Sequence, residues 1–148
     1  MPVEDNCIFC RITRNEIPAA RIYEDEYVLA FLDIAPFNPG HTLIIPKVHC
    51  QSLTILPDEY LAAMMRAARE IAPAVMHVTG APAFNLLLNN GSVAGQEVPH
   101  THLHLIPRKV DDAVLLAAAK QEYAPGAMAE MAGQLRERLK SKPAADHS

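Results

Sequence analysis

Residues 98–108 read VPHTHLHLIPR, and three of the chain's seven histidines, His100, His102 and His104, stand there at alternate positions. Alternation with period two marks an extended strand with two unlike faces. On such a strand the three imidazoles share one side at intervals of about 6–7 Å. Thr101, Leu103 and Leu105 then point the other way, into what reads as core. A slip of one residue would bury all three imidazoles, so the register must be firmly held. Histidine is neither a favoured strand residue nor a cheap core residue, and three together call for a chemical reading. They could form one zinc ligand set, but three in a row splay too far for a single tetrahedron. A division of labour fits better, with one imidazole as nucleophile and others on phosphate or metal. Neutral imidazole is nucleophilic, and its protonated form donates near neutral pH.

Upstream, the stretch "ARIYEDEYVLAFLDI" predicts a hairpin around the acidic turn Glu24, Asp25, Glu26. In its second strand Tyr27, Leu29, Phe31 and Asp33 fall on one face, so a carboxylate ends an apolar row. The loop "APFNPGH" leads to a strand "HTLIIP", opened by His41 and closed by Pro46. "CIFCRIT" suggests a short helical turn. A long helix follows Pro57, with Asp58 and Glu59 complementing its N-terminal dipole and Gly80 ending it. Its expected apolar stripe is Leu61, Met64, Met65, Ala68, Ile71, Ala72 and Val75, and Pro73 should kink or split it. The Met pair reads as core packing rather than a cofactor box. "AFNLLLNNG" is a strand running into a turn, and a last helix is expected from about Gly126 to Lys140. Short strands, mostly hairpin-connected, with two or three helices make an α+β protein with an antiparallel sheet. The 148 residues fit one domain, with a core over about residues 7–108, a helical extension over 109–142 and a disordered tail over 143–148.

The formal net charge is −4 with no long basic run, which argues against a nucleic-acid polymer as partner. No apolar run approaches a membrane span, and the acidic N-terminus is not a signal peptide, so a cytoplasmic protein without membrane association is expected. Cys7, Cys10 and Cys50 are an odd set for a disulfide framework. Cys7 and Cys10 read as packing residues, a redox pair or metal ligands. The polar "LLNNGSVAGQ" before the histidines offers backbone N–H groups to a phosphate. No G-x-x-x-x-G-K-[ST] occurs, so a magnesium-dependent NTPase is not indicated and no magnesium requirement is expected.

The stretch "HTHLHLI" matches the His-φ-His-φ-His-φ-φ signature of the histidine-triad (HIT) superfamily, with Thr101 at a usually apolar position. The resemblance extends through "CIFCRI", "YEDEYVLAFLDI.P..PGHTLIIPK.H" and "NNG...GQ", and so covers about residues 7–108. It is greatest to the bacterial, Hint-like nucleotide-binding branch. It implies a HIT-like fold, with a five-stranded antiparallel sheet, two main helices plus a C-terminal helix, and sheets joined across a homodimer. It also implies hydrolysis or transfer at the α-phosphate of purine nucleotide derivatives, nucleoside phosphoramidates or related adenylates, through a covalent nucleotidyl-histidine.

By the same resemblance His102 is the nucleophile, and His104 and His41 attend the phosphate, with His100 completing the catalytic set. Asp33 accepts from ribose hydroxyls, and Asn89, Gln96 and Glu97 lie on the phosphate side. Ile8, Phe9, Ile12, Phe31, Ile34 and Leu43 match the apolar walls around a purine, positions where plain core would look the same. Glu97 is a departure, because relatives with phosphoramidase chemistry carry serine there. A structural zinc is implied on Cys7, Cys10, His49 and His100, with Cys50 as a competitor for the place of His49. Two other readings stand beside the enzyme: a nucleotide-binding regulatory or interaction protein with little catalysis, and a zinc hydrolase that uses the triad as ligands.

Overall fold

The computed structural model describes residues 4–116 and 118–140. The expected tail over 143–148 lies outside the described residues. The chain divides after Val114 into two compact units.

The first unit is a five-stranded antiparallel sheet in the order β1-β2-β3-β5-β4. Its strands are β1 (Arg21–Glu24), β2 (Val28–Leu32), β3 (Thr42–Pro46), β4 (Ala83–Leu88) and β5 (Leu103–Arg108). The hairpin forms as the acidic turn predicts. Asp25 Oδ1 accepts the N–H groups of Tyr27 and Val28, a local bond pattern that competes with continued strand. Tyr27 leaves the expected face: it precedes β2 and packs edge-on against Tyr60, with ring centroids 5.2 Å apart.

The central strands are covered on both sides. Val28, Ala30, Ile44, Leu103 and Leu105 pack under α2 (Asp58–Thr79). Leu29, Phe31, Leu43 and Ile45 join Phe9, Cys10 and Ile12 of α1 (Ile8–Thr13) and Cys7 before it. Every residue of β3 is buried as a result, so it reads as an apolar run rather than an alternation.

α2 begins after Pro57 and ends on Gly80 in the left-handed conformation, φ 74°, as expected. Pro73 does not split it. Pro73 and Arg69, whose carbonyl loses its partner four residues on, are both exposed, so water can satisfy that group. The buried stripe is Ala63, Met64, Ala67, Ala68, Ile71, Ala72 and Val75. Leu61 and Met65 are exposed, a correction to the expected stripe, and alanines 63 and 67 take their place against the sheet. Small side chains let the helix axis approach, and the stripe rotates toward them.

In the second unit α3 (Ala127–Lys140) is amphipathic and carries Met128, Met131, Leu135 and Leu139, all exposed. Among the described residues no helix is long and apolar enough to cross a membrane.

Candidate active site

The sheet register gathers the polar groups at one end of three neighbouring strands. Beyond the last β2–β3 pair, Leu32 with Thr42, the Asp33 N–H donates to the His41 carbonyl at 2.9 Å. His104 pairs with Leu43 on one side and Leu87 on the other. Alternation then places Asp33, His41 and His104 on the face that α1 covers. Gly40 precedes His41 with φ 95°, and a Cβ there would come within 2.7 Å of Thr79 at the end of α2. Only glycine allows this backbone so close to the helix.

The triad does not lie wholly on a strand. β5 starts at Leu103, so the expected strand start at residue 100 is corrected by three residues. His100 and Thr101 are held instead by the neighbouring chain. Thr101 N–H and Thr101 Oγ1–H both donate to the Cys50 carbonyl, at 2.6 and 2.8 Å.

The hydrogen bonds assign the tautomers. The Phe37 N–H donates to His41 Nδ1 at 3.1 Å, so His41 carries its proton on Nε2. That Nε2–H donates to His104 Nδ1 at 2.9 Å, which leaves the His104 proton on Nε2. His102 Nδ1–H donates to the His100 carbonyl at 2.7 Å, so its Nε2 presents a lone pair. The rings of His102 and His104 lie 4.9 Å apart between centroids, and Phe9 packs edge-on against His102 at 5.1 Å. Burial pushes His104 down to about 4, reinforced by His102 and His41, and burial also lowers His41 against the opposing pull of Asp33. Both rings are therefore neutral near pH 7.

Asp33, His41 and His104 offer three potential ligand atoms within 4.8 Å of one another. They do not suit a metal. Ligation through His41 Nε2 would put the proton on Nδ1, against the Phe37 N–H, so two donors would meet. The Asp33 carboxylate, 3.8 Å from His41 Nε2, accepts instead from the Ala35 N–H.

A second cluster is different. Cys7, Cys10, His49 and His100 bring two Sγ and two ring nitrogens within 4.8 Å of one another. His100 is fully buried, and its Nε2–H donates to the Pro46 carbonyl at 3.0 Å, so Nδ1 is free to ligate. That Nδ1 lies 3.4 Å from Cys7 Sγ and 3.6 Å from Cys10 Sγ, and His49 Nδ1 lies 3.5 Å from Cys10 Sγ. A tetrahedral zinc, with bonds near ~2.3 Å to sulfur and ~2.0 Å to nitrogen, separates S and N ligands by about 3.5 Å. Burial pushes the Cys10 thiol up to about 11 and His100 down to about 4, so both disfavour charge without a metal, and a divalent cation would favour the thiolate. The donor set fits zinc. Cys50 does not join it: its thiol donates to the Ser52 carbonyl at 3.1 Å.

The family model described as HIT domain matches residues 14–111. The chain belongs to the HIT family. It is 46% identical over 74% of its length to "Adenylylsulfatase HINT3" of Arabidopsis thaliana, and spans only 56% of that protein. It is also 46% identical to "Adenosine 5'-monophosphoramidase HNT1" of Saccharomyces cerevisiae, covering 74% of this chain and 67% of that one. The crystal structure of a Zn-bound histidine triad family protein from Mycobacterium smegmatis superposes with a TM-score of 0.70 at 37% identity, over 93% of this chain and 98% of that one. The five-stranded antiparallel sheet with its helices is the HIT fold.

Within this HIT domain the remaining expected site residues separate. Phe9, Ile12, Phe31 and Leu43 are buried together in the α1-side cluster. Ile8 is 47% and Ile34 99% exposed, so these two alone of the six have free apolar surface. Gln96 anchors the glycine-rich loop: its Oε1 accepts the Gly91 N–H and its Nε2–H donates to the Gln51 carbonyl, both at 2.8 Å. Asn89 Nδ2–H donates to the Gly95 carbonyl at 3.4 Å. Glu97 is exposed, next to Val98, which packs on the α1-side cluster. Phe37 was not among the expected residues. It stacks on His41 at 5.2 Å as well as donating to it, and only the fold of its loop reveals this.

Proposed function

We propose that the protein is a nucleotidyl hydrolase or transferase that cleaves purine nucleotide derivatives, nucleoside phosphoramidates or related adenylates, at the α-phosphate through His102. The observation that carries this reading is the bond from His102 Nδ1–H to the His100 carbonyl at 2.7 Å, which leaves Nε2 unprotonated beside the His104 and His41 pair. Nε2 attacks the α-phosphorus, the P–Nε2 bond forms, and the bond to the leaving group breaks. The leaving amine takes a proton from solvent water. The ring then carries positive charge, and its Nδ1–H bond to the carbonyl becomes charge-assisted and stronger. Water next attacks phosphorus and returns a proton to solvent, the P–Nε2 bond breaks, and His102 is restored as the neutral ring. His104, held neutral by burial, offers its Nε2–H to a phosphate oxygen as a hydrogen bond rather than as an acid. Asp33 takes the ribose hydroxyls, and the exposed faces of Ile8 and Ile34 are apolar surface for the base. The names of the Arabidopsis and yeast relatives support this substrate class.

A structural zinc on Cys7, Cys10, His49 and His100 joins the N-terminus to the segment that carries His102. With all four positions filled by protein it leaves none for water. A homodimer is proposed through β4, an edge strand whose Phe84 and Leu86 are exposed. Light scattering that returns one chain mass at micromolar concentration would overturn the dimer.

The test of the chemistry is His102→Asn. Turnover of an adenosine phosphoramidate is expected to be abolished while AMP still binds. A rapid alkaline quench of the wild type, which preserves a P–N bond, should show a nucleotidyl adduct by mass spectrometry, absent from the variant. Full activity in the variant would overturn the mechanism. Tight AMP binding by the wild type with negligible turnover across phosphoramidates, adenylates and dinucleoside polyphosphates would favour a binding protein instead.

A further inference from the structure

The tautomer of His41 depends on where the Phe37 N–H points, and so on what holds the loop between β2 and β3. That loop is tied at Asn38. The Asn38 carbonyl accepts the His41 N–H at 3.0 Å, and Asn38 Nδ2–H groups donate to the Pro107 carbonyl and to Asp112 Oδ2, both at 2.9 Å. Asp112 lies in the turn after β5 and is a hub. Its Oδ2 accepts from Arg108 Nε at 2.8 Å, Asn38 Nδ2 at 2.9 Å and Lys109 N at 3.0 Å. Its Oδ1 accepts from Arg108 Nη2 at 2.8 Å and Val114 N at 3.3 Å. The bidentate Arg108 pair is a directional, charge-assisted contact. The turn is also strained: Asp111 is one of two described non-glycine residues with positive φ, at 60°. Such a conformation costs about 1–3 kcal/mol and persists where surrounding contacts over-determine it. Here it turns Asp112 back toward the loop that carries His41.

We propose that Asn38 and Asp112, braced by Arg108, are positioning residues for the reaction: they aim the Phe37 N–H at His41 Nδ1, and so set the proton arrangement that runs through His41 to His104 beside His102. None of the three is expected to touch substrate. The inference rests on the reading of His41 and His104 as partners of His102 in catalysis, but its tautomer half can be measured without any substrate.

The variants are Asn38→Ala and Asp112→Asn. The second is nearly isosteric, and in either orientation its amide group meets at least two donors, so the hub fails without a large cavity. Asn85→Ala is the control, because it removes only an outer Arg108 Nη1 contact. Nitrogen-15 NMR of full-length protein at pH 7.5 should show His41 in the Nε2–H form in the wild type and in Asn85→Ala. In the two test variants it should show a mixture of tautomers. On an adenosine phosphoramidate kcat should fall about tenfold to a hundredfold with KM changed by less than about threefold, the pattern of lost alignment rather than lost binding. Support requires both results. Wild-type nitrogen shifts in both variants would overturn the proposal whatever the rate does, and mixed tautomers with unchanged kcat would overturn its catalytic half. A wild type that turns over no nucleotide would sink the function proposed above, and the tautomer measurement would still stand.

Discussion

At the scale of single residues, the site is a set of histidines whose protons are placed by backbone groups. His41 is set by an amide, His102 and His100 by carbonyls, and His104 by His41. This has a consequence for stability. His104 has a folded value of about 4, lowered by burial first, whereas the unfolded chain titrates near its ordinary value of about 6.5. Between these values the unfolded state binds more protons, so stability rises with pH. It is fully present above about 6.5 and is lost as pH falls toward 4. His41 acts in the same direction. Urea unfolding at pH 7.0 and 5.0 should show a drop, and His104→Asn, which keeps an acceptor for His41, should make that drop smaller. An unchanged difference would show that His104 is not the titrating group. The sequence displayed which residue types are present; it could not display tautomers, because the partners are carbonyls, an amide and a second ring, up to 63 residues away along the chain.

At the scale of elements, α2 was legible from its caps and its 3.6-residue pattern. Its rotation was not. A stripe drawn by hydrophobicity includes Leu61 and Met65, while the sheet selects the alanine-lined side. Met64→Ala should therefore cost about 2–5 kcal/mol in chemical denaturation, as for other buried Met truncations. Met65→Ala, at a site 52% exposed, should cost less than about 1 kcal/mol. Equal costs would mean that the stripe is misplaced. The strand that carries His104 was likewise legible as a strand, but its start was not. The pull of the cysteine cluster on His100, and of the Cys50 carbonyl on Thr101, ends the ladder at Leu103. The unusual threonine in the triad was the available signal for that second contact.

At the scale of the whole molecule, the cysteine and histidine cluster joins three distant parts of the chain, around residues 7–10, His49 and His100. Chelation of metal from purified protein should lower the melting temperature, and Cys10→Ala should abolish a zinc content near one per chain by elemental analysis. Equal melting with and without chelator would remove zinc from the fold. Thr101 supports this centre indirectly, since its two bonds to Cys50 fix the spacing between His49 and His100. Thr101→Val should weaken zinc about tenfold or more in competition with a chromogenic chelator, and Thr101→Ser should restore it. The sequence by itself determined the α+β class, the hairpin, the helices and the family pattern. These are local signals, carried by periodicity, caps and spacing. Only the tertiary structure decided which histidine nitrogen holds each proton, which candidate wall residues are closed into core, and that Asn38 meets Asp112. Those outcomes depend on hydrogen bonds and packing between groups from 2 to 93 residues apart, where direction and distance, not residue type, set the energy.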